Sequence, residues 1–319
     1  MAKRCLVQPD PKDYAFDIDD VLGAAVLVRS GVPGDAFTAE TLGTERAGNG
    51  VIIRSDGLVL TIGYLVTEAE SVWLTLADGQ VVPGHVLAFD QETGFGLIQA
   101  LARLDVPAVP IGRSAEIMTG EPVIVAGGGG IKSAVAARVV AKHEFAGYWE
   151  YVLDEAIFTA PAHPNWGGTA VIGPKGELVG IGSLLVQQST EGGGSEDLNM
   201  VVPIDLLAPI LDDMVTTGRT NRPPRPWLGI YATELAGNVV IADFASRGPG
   251  AASDLHSGDI VLSVAGNDVG DLADFFRSIW SLGEAGCQVP LQVHRDGRAL
   301  DVTVTSGDRR QFLKTPVKH

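Results

Sequence analysis

Ala162-His163-Pro164-Asn165-Trp166-Gly167-Gly168-Thr169 is the stretch whose reading decides the fold. A paired glycine after a bulky side chain runs straight into Ala170-Val171-Ile172 and then Gly176-Glu177-Leu178-Val179-Gly180-Ile181, a tight loop opening onto an apolar β-hairpin. Two features limit what the loop can do chemically. The indole of Trp166 carries an N–H donor but no nucleophilic oxygen. Pro164 has no N–H to offer a developing negative charge.

The chain around this loop is 319 residues long, enough for two domains each with its own core. Forty-five per cent hydrophobic residues, 40 glycines and only 19% charged residues suit a β-rich protein with many tight turns. A net charge of −16 argues against nucleic acid or an anionic membrane as partner, because both reward clustered Lys and Arg. Cys5 and Cys287 are too few for a disulfide framework or a cysteine-based metal site. The opening residues are basic at Lys3 and Arg4 but lead into an acidic stretch, with no apolar core of a signal peptide and no membrane anchor. The expected compartment is therefore the cytoplasm, or the periplasm if this is a processed form.

Short β-type runs separated by turn signals begin at Val21. Gly50–Ile53 and Leu58–Leu60 flank Ser55-Asp56-Gly57, and Val72–Leu76 leads through Asp78-Gly79 to Val81-Val82. Asp-Gly between apolar runs is a strong hairpin signal. The four glycines 127–130 lack the following Gly-Lys-Ser/Thr or G-x-G-x-x-G helix of a phosphate loop and read as a strand connection. Pro203 to Thr217 has apolar residues at helical spacing and stops before Gly218. Arg219-Thr220-Asn221-Arg222-Pro223-Pro224-Arg225-Pro226 then reads as a stiff linker. Beyond it lie short strands, an amphipathic helix over about 272–282 with Leu272, Phe275, Phe276 and Ile279 on one face, and a hairpin through Asp296-Gly297.

Taken together these phrases resemble the HtrA/DegP family of serine proteases, over roughly residues 20–310. Gly48–Ile53 with Asp56–Thr61 resembles the family's hairpin before its histidine, and Asp90–Ile98 its aspartate segment. Asn165 with Gly167-Gly168 resembles the nucleophile loop, and Pro203-Ile204 the exit from the barrel. Arg225–Ile230 resembles the entry to its PDZ domain. The resemblance implies a mostly β fold, a trypsin-like double β-barrel followed by a PDZ domain with one main helix. The implied boundaries are an N-terminal arm over 1–19, the barrels over 20–218, a linker over 219–225, the PDZ domain over 226–310 and a tail over 311–319. It also implies a trimer, with Tyr14 and Phe16 of the arm packing its interface.

At the catalytic positions the chain departs from the family. Tyr64 stands at the histidine, Gly94 at the aspartate, Trp166 at the serine, and Pro164 removes an oxyanion donor. Losing a general base costs roughly 10²–10⁴ in rate, and losing one oxyanion donor roughly a further 10²–10³. The expectation from these residues is a catalytically inactive homologue, not an enzyme, that acts as a PDZ-mediated peptide-binding, scaffolding or chaperone-like protein. The alternative is an active endopeptidase with a rearranged site. Trp166 is expected either to plug the old cleft or to form a binding platform. His163 is expected to be a solvated or hydrogen-bonded surface group, and the other histidines are scattered, so neither metal nor cofactor is expected. The PDZ resemblance implies that Trp227, Leu228, Gly229 and Ile230 receive a peptide's terminal carboxylate on backbone N–H groups. Phe275, Phe276 and Ile279 would form the opposite wall, with protein or peptide C-termini as partners.

Overall fold

A computed structural model describes residues 7–189 and 193–314; Cys5, His319 and the end of the expected tail lie outside the described residues. Six strands form a first closed barrel in the order β1-β2-β3-β6-β5-β4. They are β1 Ala25–Gly31, β2 Glu45–Ile52, β3 Leu58–Ile62, β4 Ser71–Thr75, β5 Val81–Phe89 and β6 Phe95–Ala100. A second closed barrel follows in the order β10-β11-β12-β9-β8-β7. Its strands are β7 Pro122–Ala126, β8 Ala134–Gly147, β9 Tyr151–Ala160, β10 Ala170–Ile172, β11 Leu178–Ser189 and β12 Ser195–Pro203. The remaining sheet runs β13-β14-β15-β17-β18, with β16 paired to β15. Here β13 is Ile230–Leu235, β14 Asn238–Phe244, β15 Ile260–Val264, β16 Asn267–Asp268, β17 Gln288–Arg295 and β18 Arg298–Thr305. The described residues also form the α-helices α1 Ile18–Gly23, α2 Ala39–Leu42, α3 Leu211–Thr217 and α4 Leu272–Trp280.

The hairpin signals work as expected. Asp296 and Gly297 both take positive φ, 50° and 77°, the pair of values a two-residue turn between twisted strands demands. β3 is buried at every position, and Val51, Leu60, Leu74, Leu97 and Ile98 of the first barrel's strands are all 0% exposed. Val125, Ile157, Val171, Val179 and Val201 of the second, also 0% exposed, belong to one core cluster.

One expected helix divides. The stretch 203–217 becomes a 3₁₀ turn at Ile204–Leu206 and then α3. Pro209 sits between them, lacking the N–H and crowding the preceding turn that a continuous helix would need. Gly218 in the left-handed conformation caps α3 on Met214.

By packing, the chain divides into two compact units. One holds the residues up to 143 together with 155–221, and the other holds 144–154 together with 222–314. The tip of the β8–β9 hairpin is thus part of the same unit as the C-terminal sheet.

Candidate active site and peptide groove

β3 delivers Tyr64 on a 3₁₀ turn, Gly63–Leu65. The Gly63 N–H donates to the Gly94 carbonyl at 2.6 Å, so the segment before β6 lies against the turn that carries Tyr64. Gly94 has φ +84° and closes a turn in which Asp90 accepts from the Thr93 N–H at 2.9 Å and the Thr93 hydroxyl at 2.8 Å. Asp90 Oδ2 is therefore engaged by its own loop, and its Oδ1 accepts from the Thr220 hydroxyl at 3.5 Å. Trp166, half-buried, donates its indole N–H to the Tyr64 hydroxyl, which itself donates to the Ser183 carbonyl at 2.8 Å. Ser183 sits where the β11–β12 register slips, outside the regular ladder, which leaves its carbonyl for this bond. Burial raises the Tyr64 phenol above its ordinary value, so it is a neutral hydroxyl at neutral pH.

The loop is pinned from behind. Asn49, 1% exposed, donates its amide to the Asn165 carbonyl at 2.8 Å and the Gly167 carbonyl at 3.1 Å, while its Oδ1 accepts from the Gly128 N–H at 2.9 Å. A Cβ on Gly168, at φ +76°, would lie 1.9 Å from the Asn49 carbonyl oxygen. A Cβ on Gly128 would meet the Leu27 nitrogen at 2.3 Å, so this part of the glycine run serves close packing of the backbone.

His163 departs from expectation: it is 4% exposed, not a surface group. Asn199 clamps its backbone at both N–H and C=O. Its Nδ1 accepts from the Asn165 N–H at 3.1 Å, which leaves Nε2 to donate to the Ser133 carbonyl at 2.9 Å. Burial lowers its pKa, and it is neutral at pH 7. The sequence hides this, since Ser133 and Asn199 are thirty or more residues away. Pro164 is exposed. The structure thus brings Tyr64, Gly94 and Trp166 into one neighbourhood and adds Asn49, His163 and Ser183 to it.

In the other unit, the N–H groups of Leu228, Gly229 and Ile230 converge on one carboxylate. It belongs to Glu150. Its Oε1 accepts from Gly229 at 2.7 Å, Ile230 at 3.0 Å and Leu228 at 3.2 Å, and its Oε2 from Leu228 at 3.1 Å. Gly229 at φ +70° makes the convergence possible. Burial pushes the Glu150 carboxyl up to about 7, against the opposing pull of these N–H groups and of Arg309. Leu228, Ile230, Phe275, Phe276 and Ile279 share one buried cluster with Val152. The Trp227 backbone pairs with Gly307, and its ring lies 4.9 Å from that of Phe312 and next to Gly229, where an added Cβ would meet it at 3.0 Å. Glu150 was not singled out from sequence, because its partners come 78 to 80 residues later. The available signal was an acidic residue among Tyr148, Trp149 and Tyr151 at a hairpin tip.

A double barrel of this topology, followed along the chain by a six-stranded sheet, defines a trypsin-like domain joined to a PDZ domain. Sequence comparison agrees: residues 48–181 match the trypsin-like peptidase domain model and residues 226–305 the PDZ domain model. The chain is HtrA/DegP-like in sequence and in fold. A "Probable periplasmic serine endoprotease DegP-like" of Pseudomonas fluorescens is 26% identical over 82% of this chain and 56% of its own length. Its counterpart in Pseudomonas putida is 28% identical over 82% and 55%. The chain therefore spans about half the length of the curated relatives it matches. Among solved structures, one described as "HtrA-type protease AlgW with tripeptide" superposes with TM-score 0.53 at 19% identity, covering 97% of this chain and 99% of that one. A serine endoprotease from Yersinia pestis gives 0.53 at 20% identity, covering 95% and 99%. The relatives correct the expectation that the chain is not an enzyme, because they are named serine endoproteases. The expectation rested on four altered positions, Tyr64, Gly94, Trp166 and Pro164, which reveal which groups are lacking and say nothing of which groups replace them. The cytoplasmic expectation likewise finds no support in relatives whose names place them in the periplasm. Among the described residues no helix is long and apolar enough to cross a membrane.

Proposed function

We propose that the chain acts on polypeptides as an HtrA-type serine endopeptidase with a rearranged catalytic site, its PDZ domain recognising the free carboxyl terminus of the polypeptide. The observation that carries the recognition half is the cradle of Leu228, Gly229 and Ile230 N–H groups closed on a carboxylate. The endopeptidase half is supported by the relatives, whose names also support a periplasmic location. The rearrangement is supported by the residues themselves. Tyr64 and Trp166, bonded to each other, stand where base and nucleophile would stand, and Gly94 and Pro164 complete the departure. The acid–base group nearest the altered loop is His163, held neutral and able to accept a proton if Nδ1 is freed from the Asn165 N–H. A trimer is the proposed assembly on the family resemblance, checked by light scattering.

The test is incubation of the purified chain with unfolded casein, followed by mass spectrometry of the fragments and labelling with a fluorophosphonate. Cleavage that disappears in His163→Ala, with one serine labelled, is the expected result. Intact casein and no labelled serine after prolonged incubation would overturn the endopeptidase half and leave the recognition half to be judged separately.

A further inference from the structure

A peptide bound to a PDZ groove meets a strand edge along one side, a helix along the other, and a nest of N–H groups at its end. Residues 144–154 of this chain make all three contacts. The Tyr148 carbonyl accepts from the Ala232 N–H of β13 at 3.0 Å, a main-chain bond of the kind an added strand forms. Arg277 of α4 pairs with both Glu144 and Asp154, one near each end of the segment. Val152, 8% exposed, packs into the cluster formed by Ile230, Phe275, Phe276 and Ile279, where a ligand's apolar side chain belongs. The Glu150 carboxylate fills the nest. Tyr148 adds an edge-on contact with Tyr231 of β13, ring centroids 5.8 Å apart. Glu150 itself adopts φ +60°, a backbone conformation that a glutamate takes only where its surroundings hold it there.

We propose that residues 144–154 are an internal ligand of the PDZ groove, with the Glu150 side-chain carboxylate standing in for a peptide's terminal carboxylate. A polypeptide ending in a free carboxylate then binds only by displacing this segment. Every tie is non-covalent, so displacement needs no chemistry, only a ligand whose own carboxylate and apolar side chain replace those of Glu150 and Val152. The effective concentration of the tethered segment weakens the apparent affinity of any free peptide. This inference rests on the recognition half of the proposed function.

The experiment measures fluorescence polarisation of a labelled decapeptide with an apolar C-terminal residue, as free acid and as amide, against the full-length chain. Glu150→Ala is expected to bind the free acid at least tenfold more tightly than the unaltered chain, with no gain for the amide. Arg277→Ala, which loosens the segment without touching the nest, should shift affinity in the same direction and carries the test if Glu150→Ala does not fold. Equal affinities in all three chains would overturn the proposal. If no chain binds the peptide, limited chymotrypsin digestion at Phe145, Tyr148, Trp149 and Tyr151 decides. Faster cutting in the variants sustains the internal ligand while the recognition reading falls; unchanged cutting overturns the internal ligand.

Discussion

Tyr64→Phe removes a single oxygen from the centre of the altered site. That hydroxyl donates to the Ser183 carbonyl at 2.8 Å and accepts from the Trp166 indole, while the ring that the substitution keeps does the packing. Ser183 is 4% exposed, so its carbonyl cannot turn to water, and a buried acceptor left without a donor costs about 1–3 kcal/mol. The indole belongs to a half-buried side chain and can find solvent, so its share is small. The void left against Gly167 is one oxygen in size, since a Cβ there would touch the hydroxyl at 2.5 Å. The expected loss is therefore about 1–3 kcal/mol, or roughly 2–4 °C of melting temperature per kcal/mol for a domain of this size. Calorimetry of both chains measures it. A melting temperature within about 1 °C of the unaltered chain would refute the claim that this hydroxyl ties Trp166 to the β11 bulge. A spectroscopic check accompanies it. Burial raises the phenol, so the folded state favours the protonated form. Stability should be indifferent to this group below about pH 10, the free phenol's value, and fall above it.

Three further outcomes follow from the geometry. Gly168→Ala combines φ +76° with a Cβ 1.9 Å from the Asn49 carbonyl, so expression of folded protein should collapse; a soluble variant melting normally would show that the loop relaxes freely. Asn49→Ala removes the partner of Gly128 N–H and of two loop carbonyls, and a loss of about 2–4 kcal/mol in urea denaturation is expected, against less than about 1 kcal/mol if water takes over. Glu150 gives a pH signature. Its carboxyl is raised to about 7 when seated, from 4.5, so the seated state holds its proton more tightly and its stability falls as pH rises from about 4.5 through 7. The melting temperature of the unaltered chain, taken relative to Glu150→Gln, should drop between pH 5 and 8; a constant difference contradicts the assignment.

Much of this was legible in the sequence because it was written locally. Asp56-Gly57, Asp78-Gly79 and Asp296-Gly297 name their own turns, and the apolar face of Leu272, Phe275, Phe276 and Ile279 names its helix, since neighbours along the chain supply the physics. Pro209 broke the 203–217 helix for an equally local reason that spacing alone overlooked. What stayed hidden depends on distant partners. His163 is buried because Asn199 and Ser133 close over it, and Glu150 tolerates burial because three N–H groups nearly eighty residues later converge on it. The site was half legible. Tyr64, Gly94 and Trp166 identify what is missing at three places, and their mutual contacts could be drawn only once the barrels were closed.

Backbone amide hydrogen exchange at Leu228, Gly229 and Ile230, in the full-length chain with no peptide added, tests the occupied cradle most directly. Three N–H groups bonded to the Glu150 carboxylate should exchange slowly in the unaltered chain and far faster in Glu150→Ala, with the core amides of β17 unchanged as a control. Fast exchange at all three positions in the unaltered chain, with protection arising only on addition of a free-carboxylate peptide, would contradict it.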